Sequence, residues 1–268
     1  MPLIAAVQMV SGADKARNLE VATRLVREAA ALGAALVGLP ENFSWMGPEE
    51  GRDQAAESLE GATLARMAAL ARECGITLLA GSLLERGAPD QRFFNTSVVL
   101  GPDGARLGVY RKIHLFDVDV GDGATYRESA AIAPGSECVV VETPFAALGL
   151  SVCYDLRFPE LYRTLSARGA TLLAVPSAFT LVTGKDHWDV LLRARAIENQ
   201  AYVLAPAQGG RHSEKRVTYG QALIADPWGL VIARAPAEGE GLAIAPYDAG
   251  HLERIRTRLP ALAHRRLP

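Results

Sequence analysis

The sequence has few cysteines and no excess of charge of either sign. Its three cysteines are Cys74, Cys138 and Cys153, which lie far apart and show no C-x-x-C spacing. Such a set provides neither a disulfide framework nor a metal site, so we expect a reducing compartment, the cytoplasm. Lysine and arginine number 28, and aspartate and glutamate 30, for a formal charge of −2. This balance argues against a surface that binds nucleic acid or anionic membranes, where basic residues would dominate.

The sequence also lacks long apolar runs and flexible linkers. No run reaches the roughly 18 apolar residues of a membrane-spanning helix. The apolar start MPLIAAVQMV lacks the basic n-region of a signal peptide and leads directly into a predicted helix. We therefore interpret it as a strand and not as a signal peptide. Because 49% of the 268 residues are apolar and no segment rich in Pro, Gly or Ser divides them, we predict one domain over residues 1–268.

One pattern recurs three times along the chain: a helical stretch, a glycine, and a short run that is apolar on both faces. The glycines are Gly33, Gly75 and Gly169. Each stands where a helix is expected to end, because glycine adopts the left-handed conformation there without a side-chain penalty. The apolar runs are typical of strands covered by helices. This alternation predicts an α/β sandwich.

Hairpins and one further helix are predicted between and after these units. Residues 93–112, with a Pro-Asp-Gly turn, and residues 138–153 each favour a hairpin. Residues 217–248 are predicted to form three strands joined by turns. A helix is predicted over about residues 186–199, with an apolar face formed by Val190, Leu191, Ala194 and Ile197.

Three predicted strands end at residues that could carry out chemistry: Glu41, Lys112 and Cys153. Functional groups of α/β proteins lie at such strand ends. Taken alone, Glu41 and Lys112 would more often be solvated surface charges. If the strand ends converge, however, the three supply a carboxylate base, a cationic donor for an oxyanion and a nucleophile. The set therefore favours covalent catalysis without histidine.

Cys153 differs from the other two cysteines in its neighbours. Apolar residues precede it, and Tyr154, Asp155 and Arg157 follow it, which indicates a partly exposed thiol. The other two are predicted to be structural thiols. The motif G-x-S-x-G is missing, so no nucleophile elbow is expected. There is also no H-E-x-x-H, no Walker A motif and no G-x-G-x-x-G, and the five histidines show no cysteine-protease signature.

Three ordered motifs resemble the nitrilase, or carbon–nitrogen hydrolase, superfamily: LPEN (39–42), YRKIHLFD (110–117) and CYDLRFPEL (153–161). The resemblance implies a four-layer α-β-β-α sandwich that dimerises through its helices, as a homodimer or a higher even-numbered homo-oligomer. It also implies a set of catalytic residues and no metal or organic cofactor. These residues are Glu41 as general base, Lys112 as oxyanion-stabilising cation, Cys153 as nucleophile and Glu128 as a second glutamate.

Within this superfamily, CYDLRFPEL and residues 176–220 resemble the deaminated glutathione amidases more than other branches, with the ω-amidases close behind. The resemblance implies that Arg157 meets the α-keto carboxylate of the substrate. It further implies that Tyr154, Phe179 and Thr183 contribute to substrate binding. The alternative for Arg157 is an ion pair with Asp155 or Glu160.

The expected reaction is hydrolysis of deaminated glutathione to 2-oxoglutarate and cysteinylglycine through a cysteine thioester. The substrate is a small molecule, an α-keto acid amide. Three alternatives stay open: an ω-amidase acting on α-ketoglutaramate, another small-amide or N-carbamoyl hydrolase, and a catalytically silent interaction protein. The balance of forces on Glu41 also stays open, because burial raises the pKa of a carboxyl group and a nearby lysine lowers it.

Overall fold

The computed structural model describes residues 1–121, 125–214 and 216–267. Residues 122–124, in the loop before Glu128, lie outside the described residues, as do Lys215 and Pro268. The helices are α1 (Lys15–Ala31), α2 (Arg52–Ala55), α3 (Ala62–Cys74), α4 (Pro159–Ala167), α5 (Leu181–Asn199) and α6 (Ala249–Arg258). The strands are β1 (Leu3–Met9), β2 (Ala34–Gly38), β3 (Thr77–Glu85), β4 (Phe94–Leu100), β5 (Arg106–Arg111), β6 (Asp117–Asp119), β7 (Thr125–Arg127), β8 (Val140–Glu142), β9 (Ala147–Leu150), β10 (Leu172–Ala174), β11 (Tyr202–Ala205), β12 (Ala207–Arg211), β13 (Val217–Tyr219), β14 (Leu223–Ala225), β15 (Val231–Arg234) and β16 (Gly241–Pro246).

The helices α1, α3 and α4 end where the glycines predicted. Gly33, Gly75 and Gly169 have φ values of +91°, +64° and +93°, the left-handed region that glycine enters most easily. At the other end of α1, the side chain of Asp14 accepts a hydrogen bond from the Arg17 N–H, which satisfies one of the free donors of the first turn. Each apolar run after these glycines forms a strand, so this part of the α/β prediction is confirmed.

The strands form two large sheets and a small two-stranded one among the described residues. The first has the order β13-β12-β1-β2-β3-β4-β5, and β16 pairs with β1 as well. Its central strands β12, β1, β2 and β3 are parallel neighbours, whereas β4 and β5 are antiparallel. The second sheet has the order β15-β14-β11-β10-β9-β8, with β9, β10 and β11 parallel. β6 and β7 form the small sheet.

Strand β1 has apolar side chains on both faces. Ala5 and Val7 belong to an apolar cluster with residues of α1 and α3. Ile4 and Ala6 point the opposite way and join a cluster with the second sheet and with α4 and α5. Successive side chains of a strand alternate between the faces of its sheet, so the first sheet is covered by helices on one face and by the second sheet on the other.

The hairpins over residues 93–112 and 138–153 form as predicted, from β4 with β5 and from β8 with β9. The prediction of three strands over residues 217–248 is wrong. Four strands form there, and they divide between the sheets: β13 pairs with β12, β14 with β11, β15 with β14, and β16 with β1. Turn residues reveal where a strand ends but not which sheet receives the next one.

Helix α5 begins at Leu181, before the predicted residue 186, because the Thr180 side chain accepts a hydrogen bond from the Thr183 N–H and caps the helix there. The predicted apolar face is present, but it is largely exposed, although Leu191 packs against the core. Val190 is 66% exposed and Ile197 is 50% exposed, whereas Trp188 is fully buried on another face. Within the described part of the chain, no helix combines the length and apolarity needed to cross a membrane.

Candidate active site

A cavity of about 360 Å³ lies at the ends of strands from both large sheets. It opens where the chain leaves β2, β5, β9 and β10. All the residues to which the sequence assigned a catalytic or substrate-binding role line it: Glu41, Lys112, Glu128, Cys153, Tyr154, Arg157, Phe179 and Thr183.

Glu41 follows the end of β2 and is 3% exposed. Gly81 of β3 allows the close approach of the strands here, since a Cβ atom at this position would collide with the carbonyl oxygen of Pro40. The Ser82 side chain then accepts a hydrogen bond from the Asn42 N–H at 3.1 Å. The segment on either side of Glu41 is therefore fixed by β3.

Lys112 follows the end of β5 and is 2% exposed. Its N–H donates to the Asn95 carbonyl oxygen of β4 at 2.9 Å, and its carbonyl oxygen accepts from the Gly135 N–H at 2.8 Å. A side chain at Gly135 would collide with the Arg111 carbonyl oxygen. Backbone contacts on both sides thus hold Lys112 with its side chain directed into the cavity wall.

The Lys112 ammonium joins two carboxylates. Its Nζ lies 3.0 Å from Glu41 Oε1 and 2.8 Å from Glu128 Oε2. Asn95 bridges the same two carboxylates, because its Nδ2 donates to Glu41 Oε1 at 2.9 Å and to Glu128 Oε1 at 3.2 Å. The Phe116 N–H also donates to Glu128, at 2.7 Å. Asn95 is 3% exposed, and the sequence reasoning missed it, since a polar residue within a strand carries no motif of its own.

Cys153 lies at a sharp turn between β9 and a short 3₁₀ helix over Cys153–Arg157. Its φ of +51° is uncommon for any residue other than glycine, and such strain is concentrated at functional sites. The expectation that no nucleophile elbow forms is therefore wrong in geometry: the motif G-x-S-x-G is missing, but the strand–turn–helix shape is present. The Cys153 N–H donates to the Pro176 carbonyl oxygen at 3.0 Å, which ties the turn to the segment after β10.

Asp155 holds this turn in place and is fully buried. Its Oδ2 accepts hydrogen bonds from the Tyr110 hydroxyl at 2.6 Å and the Val152 N–H at 2.8 Å. Its Oδ1 accepts from the His114 N–H at 3.0 Å and contacts His114 Nδ1 at 2.7 Å. Tyr110 and His114 flank Lys112 in the chain, so Asp155 connects the cysteine turn with the lysine segment. The sequence predicts Asp155 as a polar neighbour of Cys153 or an ion-pair partner of Arg157, but it does not predict this connection.

The ionisation of the three central groups follows from these contacts. Burial raises the pKa of Glu41, but the Lys112 charge, hydrogen bonds from Cys153 and Lys112, and the Arg216 charge outweigh it, so the pKa lies below its usual value. Burial lowers the pKa of Lys112, but Glu128, Glu41 and Cys153 raise it well above normal. The lysine is therefore charged and Glu41 ionised at neutral pH.

The Cys153 thiol has a pKa well above its ordinary value. Burial contributes most, followed by the negative charge of Glu41, while Lys112 and a hydrogen bond from the Ala178 N–H act in the opposite direction. The thiol is thus protonated, and it lies beside the Glu41 carboxylate, whose negative charge raises its pKa. An ionised carboxylate thus stands next to an unionised thiol.

Arg157 points across the aromatic wall of the cavity. Its guanidinium lies 5.8 Å from the centre of the Tyr154 ring and 5.6 Å from that of Phe179. Its Nη1 donates to His187 Nδ1 at 3.3 Å. The alternative of an ion pair with Asp155 or Glu160 is wrong, because within the described ranges Arg157 forms no ion pair and Asp155 is engaged by other donors.

Thr183 lies in the first turn of α5, where its hydroxyl contacts the Thr180 hydroxyl at 2.9 Å. Two further arginines line the cavity and form no ion pair among the described residues, Arg127 and Arg216. No group of three or more His, Cys, Asp or Glu side chains in the described part of the chain is arranged to hold a metal ion.

Comparison with known proteins identifies the family. The carbon-nitrogen hydrolase family model matches residues 3–257. A deaminated glutathione amidase from Synechocystis sp. is 47% identical over 98% of this chain and 97% of that protein. Omega-amidase NIT2 of Xenopus tropicalis is 40% identical over 97% of this chain and 93% of its own length.

A solved structure gives the same result for the fold. The NitFhit protein of C. elegans superposes with a TM-score of 0.92 at 39% identity over 99% of this chain. The chain spans 65% of that longer protein. The protein has the mixed α/β fold of the nitrilase superfamily, and by sequence and structure together it belongs to the carbon–nitrogen hydrolase family.

Proposed function

We propose that this carbon–nitrogen hydrolase is an amidase that converts deaminated glutathione to 2-oxoglutarate and cysteinylglycine. One observation carries the proposal: a single cavity combines a buried Glu41–Lys112–Cys153 set with Arg157, a cation that has no acidic partner within the described ranges. The first three suit amide cleavage, and the arginine suits the carboxylate of an α-keto acid. The similarity to deaminated glutathione amidases supports the same substrate.

In the first step, Cys153 attacks the amide carbon and Glu41 takes the thiol proton. The direction of both pKa shifts supports this order, because the thiol holds its proton until attack and the carboxylate is free to receive it. The thiol and the Glu41 carboxylate line the same cavity and influence each other's pKa, which supports direct proton transfer between them. One C–S bond forms, and the carbonyl electrons move to oxygen.

The oxyanion is stabilised by the Lys112 ammonium and by the Tyr154 N–H. The residue after the nucleophile supplies an oxyanion N–H in the nucleophile elbow of other hydrolases, and the φ of Cys153 supports the same use here. A preorganised donor of this kind contributes on the order of 10²–10³ in rate.

The tetrahedral species then collapses as the C–N bond breaks. Glu41 returns the proton to the leaving nitrogen, which becomes the amino group of cysteinylglycine. The 2-oxoglutaryl group stays on Cys153 as a thioester. Glu41 next removes a proton from water, whose oxygen attacks the thioester. The C–S bond breaks, 2-oxoglutarate leaves, and the proton held by Glu41 restores the thiol.

Glu128 and Arg157 have supporting functions in this scheme. Glu128 keeps Lys112 charged and oriented, as its contacts at 2.8 and 3.1 Å support. Arg157 binds the α-keto carboxylate through two parallel N–H donors, a geometry that lysine cannot reproduce. Phe179 and Thr183 enclose the same end of the substrate.

We further propose a single domain over residues 1–268 and the four-layer α-β-β-α sandwich, which the packing of helices on both outer sheet faces supports. We propose an even-numbered homo-oligomer formed through helices. The exposed apolar residues of α5 support this assembly, together with the exposed Trp228 and Leu230 on the turn that packs against α5. Three free cysteines are consistent with the proposed cytoplasmic location.

The ω-amidase reaction is the second candidate. α-Ketoglutaramate presents the same acyl half, and Arg157 would bind its carboxylate in the same way. The 40% identity to an omega-amidase supports this alternative.

The test is a comparison of kcat/KM for deaminated glutathione and α-ketoglutaramate, each followed by release of 2-oxoglutarate, the product they share. We expect the larger value for deaminated glutathione and no turnover of either substrate by Cys153→Ala. A larger value for α-ketoglutaramate would instead make the protein an ω-amidase. If neither substrate reacts and Cys153 is alkylated no faster than Cys74 and Cys138, the protein is a silent scaffold and the proposal is wrong.

A further inference from the structure

The proposed substrate has a carboxylate at each end. One belongs to the α-keto acid, and the other is the C-terminal carboxylate of the cysteinylglycine part, with the scissile amide between them. One arginine cannot bind both ends while Cys153 reaches the amide carbon. A cavity that prefers this substrate over α-ketoglutaramate, which lacks the second carboxylate, therefore needs a second cation.

Three arginines besides Arg157 line the cavity: Arg52, Arg127 and Arg216. Arg52 is paired with Glu49 at 2.8 Å. Arg127 is exposed, and its Nη1 donates to the neighbouring Tyr126 carbonyl oxygen at 3.1 Å. Arg216 is half-buried and forms no ion pair within the described ranges. Of the three, Arg216 is the partly buried cation that forms no ion pair within the described ranges.

The reaction itself defines the side on which the leaving group lies. Glu41 must deliver a proton to the leaving nitrogen, so the cysteinylglycine part extends past Glu41. Arg216 and Glu41 line the same cavity, and the charge of Arg216 lowers the pKa of Glu41. Arg157 instead packs on the rings of Tyr154 and Phe179.

The backbone at Arg216 is anchored to the segment behind Glu41. The His212 N–H donates to the Arg216 carbonyl oxygen at 2.9 Å, and the His212 ring contacts the Ser11 carbonyl oxygen at 2.7 Å. Gln208 donates to the Ser11 hydroxyl at 2.8 Å and to the Glu41 carbonyl oxygen at 3.0 Å. The hairpin of β12 and β13 is thus tied to the same loop that carries the base.

We propose that Arg216 binds the C-terminal carboxylate of the cysteinylglycine part and thereby selects deaminated glutathione over α-ketoglutaramate. This inference rests on the proposed amidase function. It assigns Arg157 to the acyl end of the substrate and Arg216 to the leaving-group end.

The test uses Arg216→Ala with three substrates: deaminated glutathione, its C-terminal glycinamide derivative, and α-ketoglutaramate. Arg211→Ala is the matched control, because Arg211 lies in the same hairpin but is exposed and does not line the cavity. We expect Arg216→Ala to lower the ratio of kcat/KM for deaminated glutathione to that for α-ketoglutaramate by about 10- to 100-fold, the effect of one charge-assisted hydrogen-bonded pair. The glycinamide derivative should lose much less, and the control should keep the wild-type ratio.

Two results would overturn the inference while the amidase function stands. If Arg216→Ala lowers kcat/KM equally for all three substrates, Arg216 acts only through the charge of Glu41. If Arg127→Ala changes the ratio and Arg216→Ala does not, the other arginine binds the carboxylate. If the wild-type protein does not hydrolyse deaminated glutathione at all, the proposed function itself fails, and that result is distinguishable from both.

Discussion

Two parts of the cavity differ in whether their charged side chains form ion pairs. Around Lys112, the ammonium forms ion pairs with Glu41 and Glu128, and Asn95 donates hydrogen bonds to both carboxylates. Elsewhere in the cavity lining, Arg157 and Arg216 form no ion pair within the described ranges. Charges that the protein pairs for itself control ionisation, whereas charges left unpaired are available to a ligand.

The pairing of Lys112 with two carboxylates also explains the high pKa of the Cys153 thiol. Reactive cysteines beside cations usually have lowered pKa values. Here one lysine faces two carboxylates, so the net charge next to Cys153 is negative, and burial adds to the same effect. In the proposed mechanism the thiol therefore depends on Glu41 as a base at the moment of attack.

Lys112→Met removes both ion pairs of this region and gives the largest expected effect. We expect kcat to fall by about 10³-fold or more for every substrate, since the oxyanion loses its cation. The buried Glu41 and the half-buried Glu128 also lose their cation, although Asn95 still donates to both, and this loss should lower the free energy of unfolding by about 3–5 kcal/mol. Steady-state kinetics and urea unfolding measure the two effects. Lys185→Met, at an exposed position of α5, is the control. Unchanged turnover in Lys112→Met would show that Lys112 does not stabilise the oxyanion.

Asn95→Leu tests the bridge between the two glutamates. Loss of two N–H donors to carboxylates should lower kcat by about 10- to 100-fold, with a smaller change in KM. Removing donors to the ionised form raises a carboxyl pKa, so the acidic limb of kcat/KM should move to higher pH.

Ser97→Ala is the matched control for Asn95→Leu. Ser97 is a buried residue on the same strand, and its hydroxyl has no hydrogen-bond partner among the described residues. If Asn95→Leu behaves like this control in both kcat and the pH profile, Asn95 has no positioning role.

Arg157→Lys tests the proposed binding of the α-keto carboxylate by Arg157. The fork of donors is lost but the charge is kept, so KM for α-keto acid amides should rise by about tenfold while kcat changes little. A neutral amide of similar size, measured in parallel, should show a much smaller change. An equal rise in KM for both amides would return Arg157 to a structural role.

His212→Gln gives the smallest expected effect. Burial lowers the pKa of His212 to about 4 from 6.5, so the unfolded chain binds this proton more readily than the native protein between those values. The free energy of unfolding of the wild type should therefore fall as pH decreases from 6.5 to 4. The variant should lose that part of the pH dependence in urea unfolding. Identical pH profiles would contradict the assigned shift.

The sequence predicted the strand ends better than their surroundings. Glu41, Lys112 and Cys153 each follow an apolar run, so their convergence could be expected from strand patterns. Glu128 could be found only through the family resemblance, because it lies in a loop without periodicity. The positive φ of Cys153 could not be predicted, since cysteine has no preference for that conformation.

The exposed face of α5 shows a further limit of prediction from sequence. Helical spacing shows which residues share a face, but it does not show whether the core or a second chain covers that face. Val190 and Ile197 were grouped correctly, yet both are exposed. Asp155 and Asn95 were missed for a related reason: their roles depend on partners that are distant in the sequence.

Intact-mass measurement of the protein, acid-quenched during turnover, tests the central claim most directly. Deaminated glutathione and α-ketoglutaramate share the acyl group, so both should leave the same 2-oxoglutaryl adduct on Cys153, and Cys153→Ala should leave none. Release of 2-oxoglutarate by Cys153→Ala, or an adduct confined to Cys74 or Cys138, would contradict the thioester mechanism.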